Sequence, residues 1–185
     1  MREVTVSKII SADREAIFDL VSDLASRPAY ADHYMRDYRL ARVYPIGEGA
    51  AARFQVKKPF AKEYAELQVN EVDRPRRIVE QIALGRRGRN RFLAVYDFSK
   101  EAQGVTRVEL TTYGEPATFV DRLKQIGAAG WTKRQTAKQL ERLRMIFEEP
   151  GKEPLKRATI AGYEPSKAAR FGAPPGADPA RIPPH

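Results

Sequence analysis

The sequence predicts an α+β fold in which a strongly curved, seven-stranded antiparallel sheet wraps around one long C-terminal helix. Three observations support this prediction. Apolar residues alternate with a period of two over residues 38–113, which indicates consecutive strands with short connections. Two short helical patterns follow the first strand, and a helical pattern of about 30 residues follows the last strand.

The N-terminal region alternates as a strand over residues 3–11 and then changes to helical spacing. Ser11 offers an N-cap, and apolar residues three and four apart predict an amphipathic helix over 13–22. Pro28 suits the first turn of a second short helix, which we expect to extend to about residue 35. The chain therefore leaves its first strand through two helices before it returns to the sheet.

Six further strands are separated by turn signals rich in glycine, proline and aspartate. Short connections of this kind join antiparallel neighbours, so the six strands form a meander and the first strand makes seven. The predicted strands are 38–44, 52–56, 63–72, 78–84, 91–98 and 106–113.

The last element is a helix predicted from Pro116 to about residue 147. Its middle, from Gly127 to Gly130, reads Gly-Ala-Ala-Gly, and each glycine costs helix stability about 1 kcal/mol. Three interpretations of the two glycines stay open. They leave space for a cavity beneath the helix, they divide it into two helices, or they let it pack closely against a strand.

Composition changes after Glu149, because eight of the 13 prolines fall in the remaining residues. We predict a folded domain over residues 1–149 and an extension over 150–172 that is partly ordered, with enough apolar residues to dock on the domain. Residues 173–185 are predicted to be a disordered tail, because their proline and glycine content sustains neither a helix nor a strand.

Four segments of the predicted domain carry a family resemblance. They are VTVSKIISADREAIFDLVSD at 4–23, DRPRRI at 73–78, YDF at 96–98 followed by GVTRV at 104–108, and LERL at 140–143. Together they resemble the START-like (SRPBCC) superfamily, on its polyketide cyclase/dehydrase and lipid-transport side, over about residues 3–148. The resemblance implies the helix-grip fold, with a cavity between the sheet and the C-terminal helix. Members range from lipid and hormone carriers to aromatase/cyclases, coenzyme Q-binding proteins and ribosome-associated factors.

Composition narrows the possible chemistry. The chain has no cysteine and two histidines, His33 and His185, which excludes a disulfide framework and a zinc-thiolate site. We expect no metal and no cofactor. The formal net charge is +9, and mean hydropathy is -0.54 without an apolar run long enough to span a membrane. A soluble, basic, cytoplasmic protein is therefore expected, as a monomer or homodimer.

The implied cavity suits a small hydrophobic or aromatic ligand, either lipid-like or polyketide-like. Aromatic side chains are its expected lining, with tyrosine hydroxyls or an arginine orienting the polar group of the ligand. For each aromatic the alternative role is core packing, and Tyr64 also fits an exposed face. The predicted ligand-contacting residues are Phe54, Tyr64, Phe92, Tyr96, Tyr113, Phe119, Trp131 and Arg134.

An enzyme of the cyclase/aromatase kind, acting in the same cavity without a metal, is the first alternative. It needs a proton-transfer group, and the candidates are His33, Tyr64 and Tyr96. His33 directly follows Asp32 in the sequence. The competing interpretation is that His33 is an exposed polar residue beside this aspartate.

The second alternative is an interaction module. Arg86, Arg87, Arg89 and Arg91 cluster on one predicted hairpin tip, where they could contact phosphate on RNA or on an anionic membrane surface. The tip lacks interleaved aromatic residues for base stacking, so nucleic acid is not the expected partner. Peripheral contact with an anionic membrane stays open, beside a simple solvated tip.

Overall fold

The computed structural model describes residues 2–57, 62–85, 88, 90–115, 119–149, 151 and 154–162. Within these residues the fold has the predicted composition of seven strands, two short helices after the first strand, and one long C-terminal helix. A 3-10 turn at Leu24–Ser26 links the two short helices. The elements are β1 (Arg2–Ile10), α1 (Arg14–Ser22), α2 (Pro28–Ala31), β2 (Met35–Leu40), β3 (Ala51–Lys57), β4 (Lys62–Asp73), β5 (Arg77–Leu84), β6 (Asn90–Ala102), β7 (Val105–Glu115) and α3 (Phe119–Glu148).

The strands form one antiparallel sheet in the order β1-β7-β6-β5-β4-β3-β2. The meander from β2 to β7 arises because each strand pairs with the next one in the chain, as the short turns predict. β1 then adds to the far side of β7, so the two helices after β1 carry the chain from one sheet edge to the other. The predicted α+β fold class is confirmed.

The structure corrects the boundary between the second helix and the second strand. The helix ends at Ala31 and β2 begins at Met35, several residues earlier than the alternation predicts. Asp37 adopts a left-handed backbone with φ 50°, and the pairing register shifts between Arg36 and Arg39. This bulge interrupts the alternation on which the prediction depends. The strand also ends at Leu40 rather than at residue 44.

One face of the sheet packs on α3, and we call it the concave face; the opposite face is called the outer face. Side chains of β1 alternate between the two, and Lys8 on the concave side reaches Glu141 of α3 at 2.5 Å. Leu140 and Leu143 of α3 are fully buried against the sheet. The hydrophobic core therefore lies between the concave face and the C-terminal half of α3.

The glycines of α3 do not divide it, because the helix is continuous from Phe119 to Glu148. A Cβ atom at Gly130 would meet no atom within 4 Å, so close packing does not explain that glycine either. The surroundings of Gly127 lie outside the described side chains. At Gly130, the interpretation as a break between two helices and the interpretation as a close contact with a strand are therefore both wrong.

Residues 154–162, which we call the strap, lie against the first helices and β2. The amide of Ala158 donates to the carbonyl of Ala25 at 2.7 Å, and the amide of Leu40 donates to the carbonyl of Thr159 at 2.9 Å. Arg157 pairs with Asp23 at 2.8 Å. The rest of the predicted extension, residues 163–172, and the predicted tail, 173–185, lie outside the described residues.

Candidate functional site

A buried ion pair lies in the middle of the concave face. Glu80 occupies a concave position of β5, between Ile78 and Ile82, and Arg27 lies between the 3-10 turn and α2. The Arg27 guanidinium donates through Nη1 to Glu80 Oε2 at 3.2 Å and through Nη2 to Glu80 Oε1. Each side chain is only 1% exposed. Burial lowers the pKa of Arg27, but the Glu80 carboxylate and the neighbouring tyrosines together outweigh burial and hold that pKa above its ordinary value.

Three polar side chains extend this pair towards α3. Arg27 Nη1 also donates to the hydroxyl of Tyr96 on β6 at 2.7 Å. Gln139 of α3 contacts that hydroxyl through Nε2 at 2.7 Å and accepts from the Tyr34 hydroxyl through Oε1 at 2.6 Å. The network therefore joins the sheet, the long helix and the segment that follows α2.

Two further tyrosine hydroxyls are buried beside the ion pair without a hydrogen-bond partner among the described residues. They belong to Tyr30 and Tyr38. Burial raises the pKa of Tyr30 to about 12, against the opposing charge of Arg27, and it raises the pKa of Tyr38 as well. Both phenols are therefore protonated at neutral pH. We call the whole group the polar cluster: Arg27, Tyr30, Tyr34, Tyr38, Glu80, Tyr96 and Gln139.

Four partly buried side chains, Tyr34, Ile82, Phe92 and Trp131, lie at one end of the concave face, which we call the open end. Ile82 and Phe92 are register partners on β5 and β6, and the Tyr34 ring contacts the Trp131 ring edge-on at 6.2 Å between centroids. All four side chains are half-buried and pack against the core. Because α3 runs parallel to β1, with Lys8 beside Glu141 and Ser11 beside Glu148, Trp131 lies at the same end of the sheet as Phe92. The open end is thus an apolar surface next to the polar cluster.

The structure brings four of the predicted ligand-contacting aromatics to the concave side and places the others elsewhere. Phe54 stacks on Tyr38 at 5.8 Å, Tyr96 belongs to the polar cluster, and Phe92 and Trp131 belong to the open end. Tyr113 faces outward, since it pairs with Leu93 and not with a concave residue. The remaining candidates are exposed or undescribed: Tyr64 is 69% exposed on the outer face, Arg134 is exposed on α3, and the Phe119 side chain lies outside the described ones. Their roles in ligand contact stay predictions.

A groove of about 780 Å³ lies on the outer face, not beneath α3. Tyr64, Arg53 and Glu66 line it together with Gly162 of the strap. The Tyr64 hydroxyl accepts from Gln55 Nε2 at 3.1 Å, and Arg53 pairs with Glu66 at 3.1 Å. These polar groups satisfy one another at the surface.

His33 lies between the end of α2 and α3, outside the polar cluster. Its Nε2 is 3.2 Å from the carbonyl of Gln135, and its Nδ1 is 3.4 Å from Arg142 Nη1. Burial lowers the pKa of His33, although the Gln135 carbonyl opposes this shift. A catalytic role for His33 stays a prediction.

Of the arginines on the predicted hairpin tip, Arg91 is exposed on the outer face at the start of β6. Arg86, Arg87 and Arg89 lie outside the described residues. Within the described part of the chain, no helix is both long and apolar enough to cross a membrane, and no group of three or more histidine or acidic side chains suits a metal ion.

Sequence reasoning missed Arg27, Glu80 and Gln139, which hold the cluster together. Glu80 carries a readable signal, because it is the single acid at a core-facing position of an otherwise apolar strand face. Arg27 and Gln139 carry none, since their partners are more than 40 residues away in the sequence.

Comparisons with known proteins agree with this architecture. Residues 1–148 match the sequence profile of the family described as polyketide cyclase / dehydrase and lipid transport. No curated protein matches the chain by sequence.

Solved structures of the same fold include a protein of Thermus thermophilus and major latex-like protein 151 of Panax ginseng. The first is 19% identical with a TM-score of 0.64, and the match covers 77% of this chain and 94% of that one. The second is 8% identical with a TM-score of 0.60, covering 80% and 97%. DynU16, from the dynemicin biosynthetic locus, is 14% identical with a TM-score of 0.56, covering 80% of this chain and 47% of that one. At these identities the likeness shows the fold alone.

Proposed function

Because the chain belongs to the polyketide cyclase/dehydrase and lipid-transport family, we propose that it binds a small, largely apolar ligand between the concave face and α3. The observation that supports this most directly is the meeting of the open end with the polar cluster. Phe92 and Trp131 offer apolar and aromatic surface, and Tyr34 links that surface to the buried hydrogen-bonding network. Ligand sites in proteins have this composition, an apolar lining with a few fixed polar groups.

The binding energy would come from the apolar surface and the orientation from the cluster. Burying apolar surface contributes about 25 cal/mol per Å², without directional preference. Hydrogen bonds to fixed donors add orientation, because an unsatisfied polar group of the ligand is costly once buried. The Tyr34 hydroxyl is the cluster member closest to the open end, so it is the first polar group that such a ligand meets.

Binding has more support than acid–base catalysis. The raised pKa values of Tyr30, Tyr34 and Tyr38 keep these phenols protonated at neutral pH, so they donate hydrogen bonds but do not accept protons. Tyr96 is held by Arg27 and Gln139. The cyclase alternative therefore rests on the family description and on His33, which lies outside the polar cluster.

Trp131 makes the proposal directly testable, because it is the only tryptophan of the chain and it lies at the open end. Nile red, an uncharged hydrophobic dye, should bind the full-length protein, gain fluorescence and change the emission of Trp131. Native mass spectrometry of the freshly purified protein should also detect a co-purified small molecule.

A matched pair of variants on β6 locates the site. Phe92→Ala shortens the concave wall and should weaken Nile red binding at least about fivefold, a loss of about 1 kcal/mol. Leu93→Ala removes a neighbouring side chain on the outer face and should leave binding unchanged. Absence of dye uptake and of any co-purified molecule, in a protein whose circular dichroism shows it folded, would exclude the proposed function.

A further inference from the structure

We infer that the site selects ligands whose polar group is an uncharged hydrogen-bond acceptor, such as a ketone or ester carbonyl, over carboxylates of the same shape. This inference rests on the proposed function and names the ligand class of the same site. Two properties of the polar cluster carry it, namely its charge balance and its number of hydroxyl protons.

The buried charges of the cluster already cancel. Arg27 is bonded through both terminal nitrogens to Glu80, so the cluster itself has no cation left to pair with an acidic ligand. Outside the cluster Arg157 pairs with Asp23, and Arg142 and Lys156 share Asp32 where both cations are at least a third exposed. A carboxylate placed here would lose its hydration without gaining a counter-ion, which costs far more than burying a neutral carbonyl. Lys133, Arg134 and Lys138 on α3 are exposed to solvent, where ion pairs contribute little.

The cluster also has more hydroxyl protons than acceptors. Tyr34 and Tyr96 contact opposite ends of the Gln139 amide, at 2.6 and 2.7 Å, and only one end is an oxygen. The other contact of Tyr96 is Arg27, which can only donate. Whichever way the amide is turned, one of these two hydroxyls keeps a proton without an acceptor among the described residues.

Among the described residues, the hydroxyls of Tyr30 and Tyr38 are likewise without a partner. The described part of the cluster therefore lacks acceptors rather than donors, and a ligand that supplies an acceptor oxygen completes it. Tyr34 is the hydroxyl within reach of a ligand at the open end, because its half-buried ring lies against Trp131, and its proton is free to donate when the Gln139 amide turns its nitrogen towards it. We assign Tyr34 as the residue that recognises the carbonyl, with Glu80 as the residue that excludes carboxylates by neutralising Arg27.

Three naphthalene probes of nearly equal shape test the assignment on the full-length protein at about pH 7.5. They are 2-acetylnaphthalene, which has a neutral acceptor, 2-ethylnaphthalene, which has none, and 2-naphthoate, which is anionic. We expect the ketone to bind about fivefold to tenfold more tightly than the hydrocarbon, the value of one neutral hydrogen bond. It should bind at least about tenfold more tightly than the carboxylate.

Two variants identify the residues responsible. Tyr34→Phe should remove the advantage of the ketone over the hydrocarbon, whereas Tyr44→Phe, on an exposed loop, should keep it. Glu80→Gln frees the charge of Arg27 and should reverse the preference, so that 2-naphthoate binds more tightly than the ketone.

A measurement on the unaltered protein covers the case in which Glu80→Gln does not fold. If only the protonated acid enters the site, the affinity for naphthoate should fall about tenfold per pH unit above the pKa of the acid, while the affinity for the ketone stays constant. Equal or tighter binding of the carboxylate at neutral pH, or a ketone advantage that survives Tyr34→Phe, overturns the inference and leaves the proposed function standing. Failure of all three probes and of Nile red to bind overturns the proposed function itself.

Discussion

The two faces of the sheet carry the same kinds of interaction in opposite surroundings. On the concave face, Arg27 and Glu80 form an ion pair in which each side chain is 1% exposed. On the outer face, Arg53 and Glu66 form another at 3.1 Å, and each is at least half exposed. Exposed pairs contribute about 0–1 kcal/mol, whereas breaking a buried pair leaves an uncompensated charge in the interior. The residue types of the two pairs are the same, so the sequence does not show which arginine contributes more to stability. The face of the sheet on which each pair lies decides this.

The largest expected effect comes from breaking the inner pair. Arg27→Met should lower the free energy of unfolding by about 3–5 kcal/mol, because Glu80 is left buried without a partner. Arg53→Met should lower it by less than about 1 kcal/mol. Urea denaturation of both variants measures the difference.

The control for this prediction is the double variant Arg27→Met with Glu80→Leu, which removes both charges. It should recover most of the lost stability, since replacing a buried pair with apolar residues is often neutral. Equal losses in the Arg27 and Arg53 variants would contradict the comparison between the two faces.

A tyrosine on each face gives the next effect. Tyr96→Phe removes an acceptor from Arg27 and a partner from Gln139, both buried, and should cost about 1–3 kcal/mol. Tyr64→Phe removes a hydrogen bond from Gln55 at the surface and should stay within about 0.5 kcal/mol. Thermal unfolding followed by circular dichroism compares them, and a Tyr64 variant as unstable as the Tyr96 variant would be the contrary result.

The ion pair of the strap, Arg157 with Asp23, is intermediate in exposure between the buried pair and the exposed pair. We propose that the folded unit continues past residue 149, because Arg157 pairs with Asp23, which is only 10% exposed, and donates to Ser26 at 2.9 Å. Arg157→Ala should therefore cost about 1 kcal/mol. Arg107→Ala, which loses an exposed pair with Glu101, should cost less than about 0.5 kcal/mol. Identical urea midpoints for the unaltered protein and the Arg157 variant would show that the strap does not stabilise the domain.

Local pattern was sufficient for most of the fold, because strand alternation and turn residues act over a few positions. The meander from β3 to β7 was predictable because turn residues, such as those at 73–76 and Gly104, join each strand to an antiparallel neighbour. The bounds of β2 could not be predicted in this way, because the left-handed backbone at Asp37 interrupts the alternation of apolar and polar residues.

The site was only partly predictable, for a different physical reason. Phe92 and Trp131 are predicted as ligand contacts because they are large aromatic residues, and both lie at the open end of the proposed site. Tyr64 is also aromatic but lies on the outer face, because a shift of one position along a strand exchanges the two faces. Arg27 depends on a partner 53 residues away, so nothing next to it in the chain indicates that it is buried.

His33 is half-buried, so its surroundings are intermediate between those of the buried and the exposed ion pair. Its substitution should give the smallest change in stability. Burial lowers its pKa in the folded protein below the usual value of about 6.5. A group whose folded pKa is lowered contributes its full stability above the unfolded pKa and loses it as the pH falls through the folded pKa. Relative to His33→Gln, the unaltered protein should therefore lose stability as the pH falls below about 6.5, and the difference should level off once His33 is protonated in the folded state. Urea denaturation of both proteins across this range measures the loss, and an NMR titration of the His33 ring gives the folded pKa. A titration midpoint of the His33 ring at or above about 6.5 would mean that the ring is solvated like an exposed histidine. The buried surroundings would then begin at Tyr34 and not at His33.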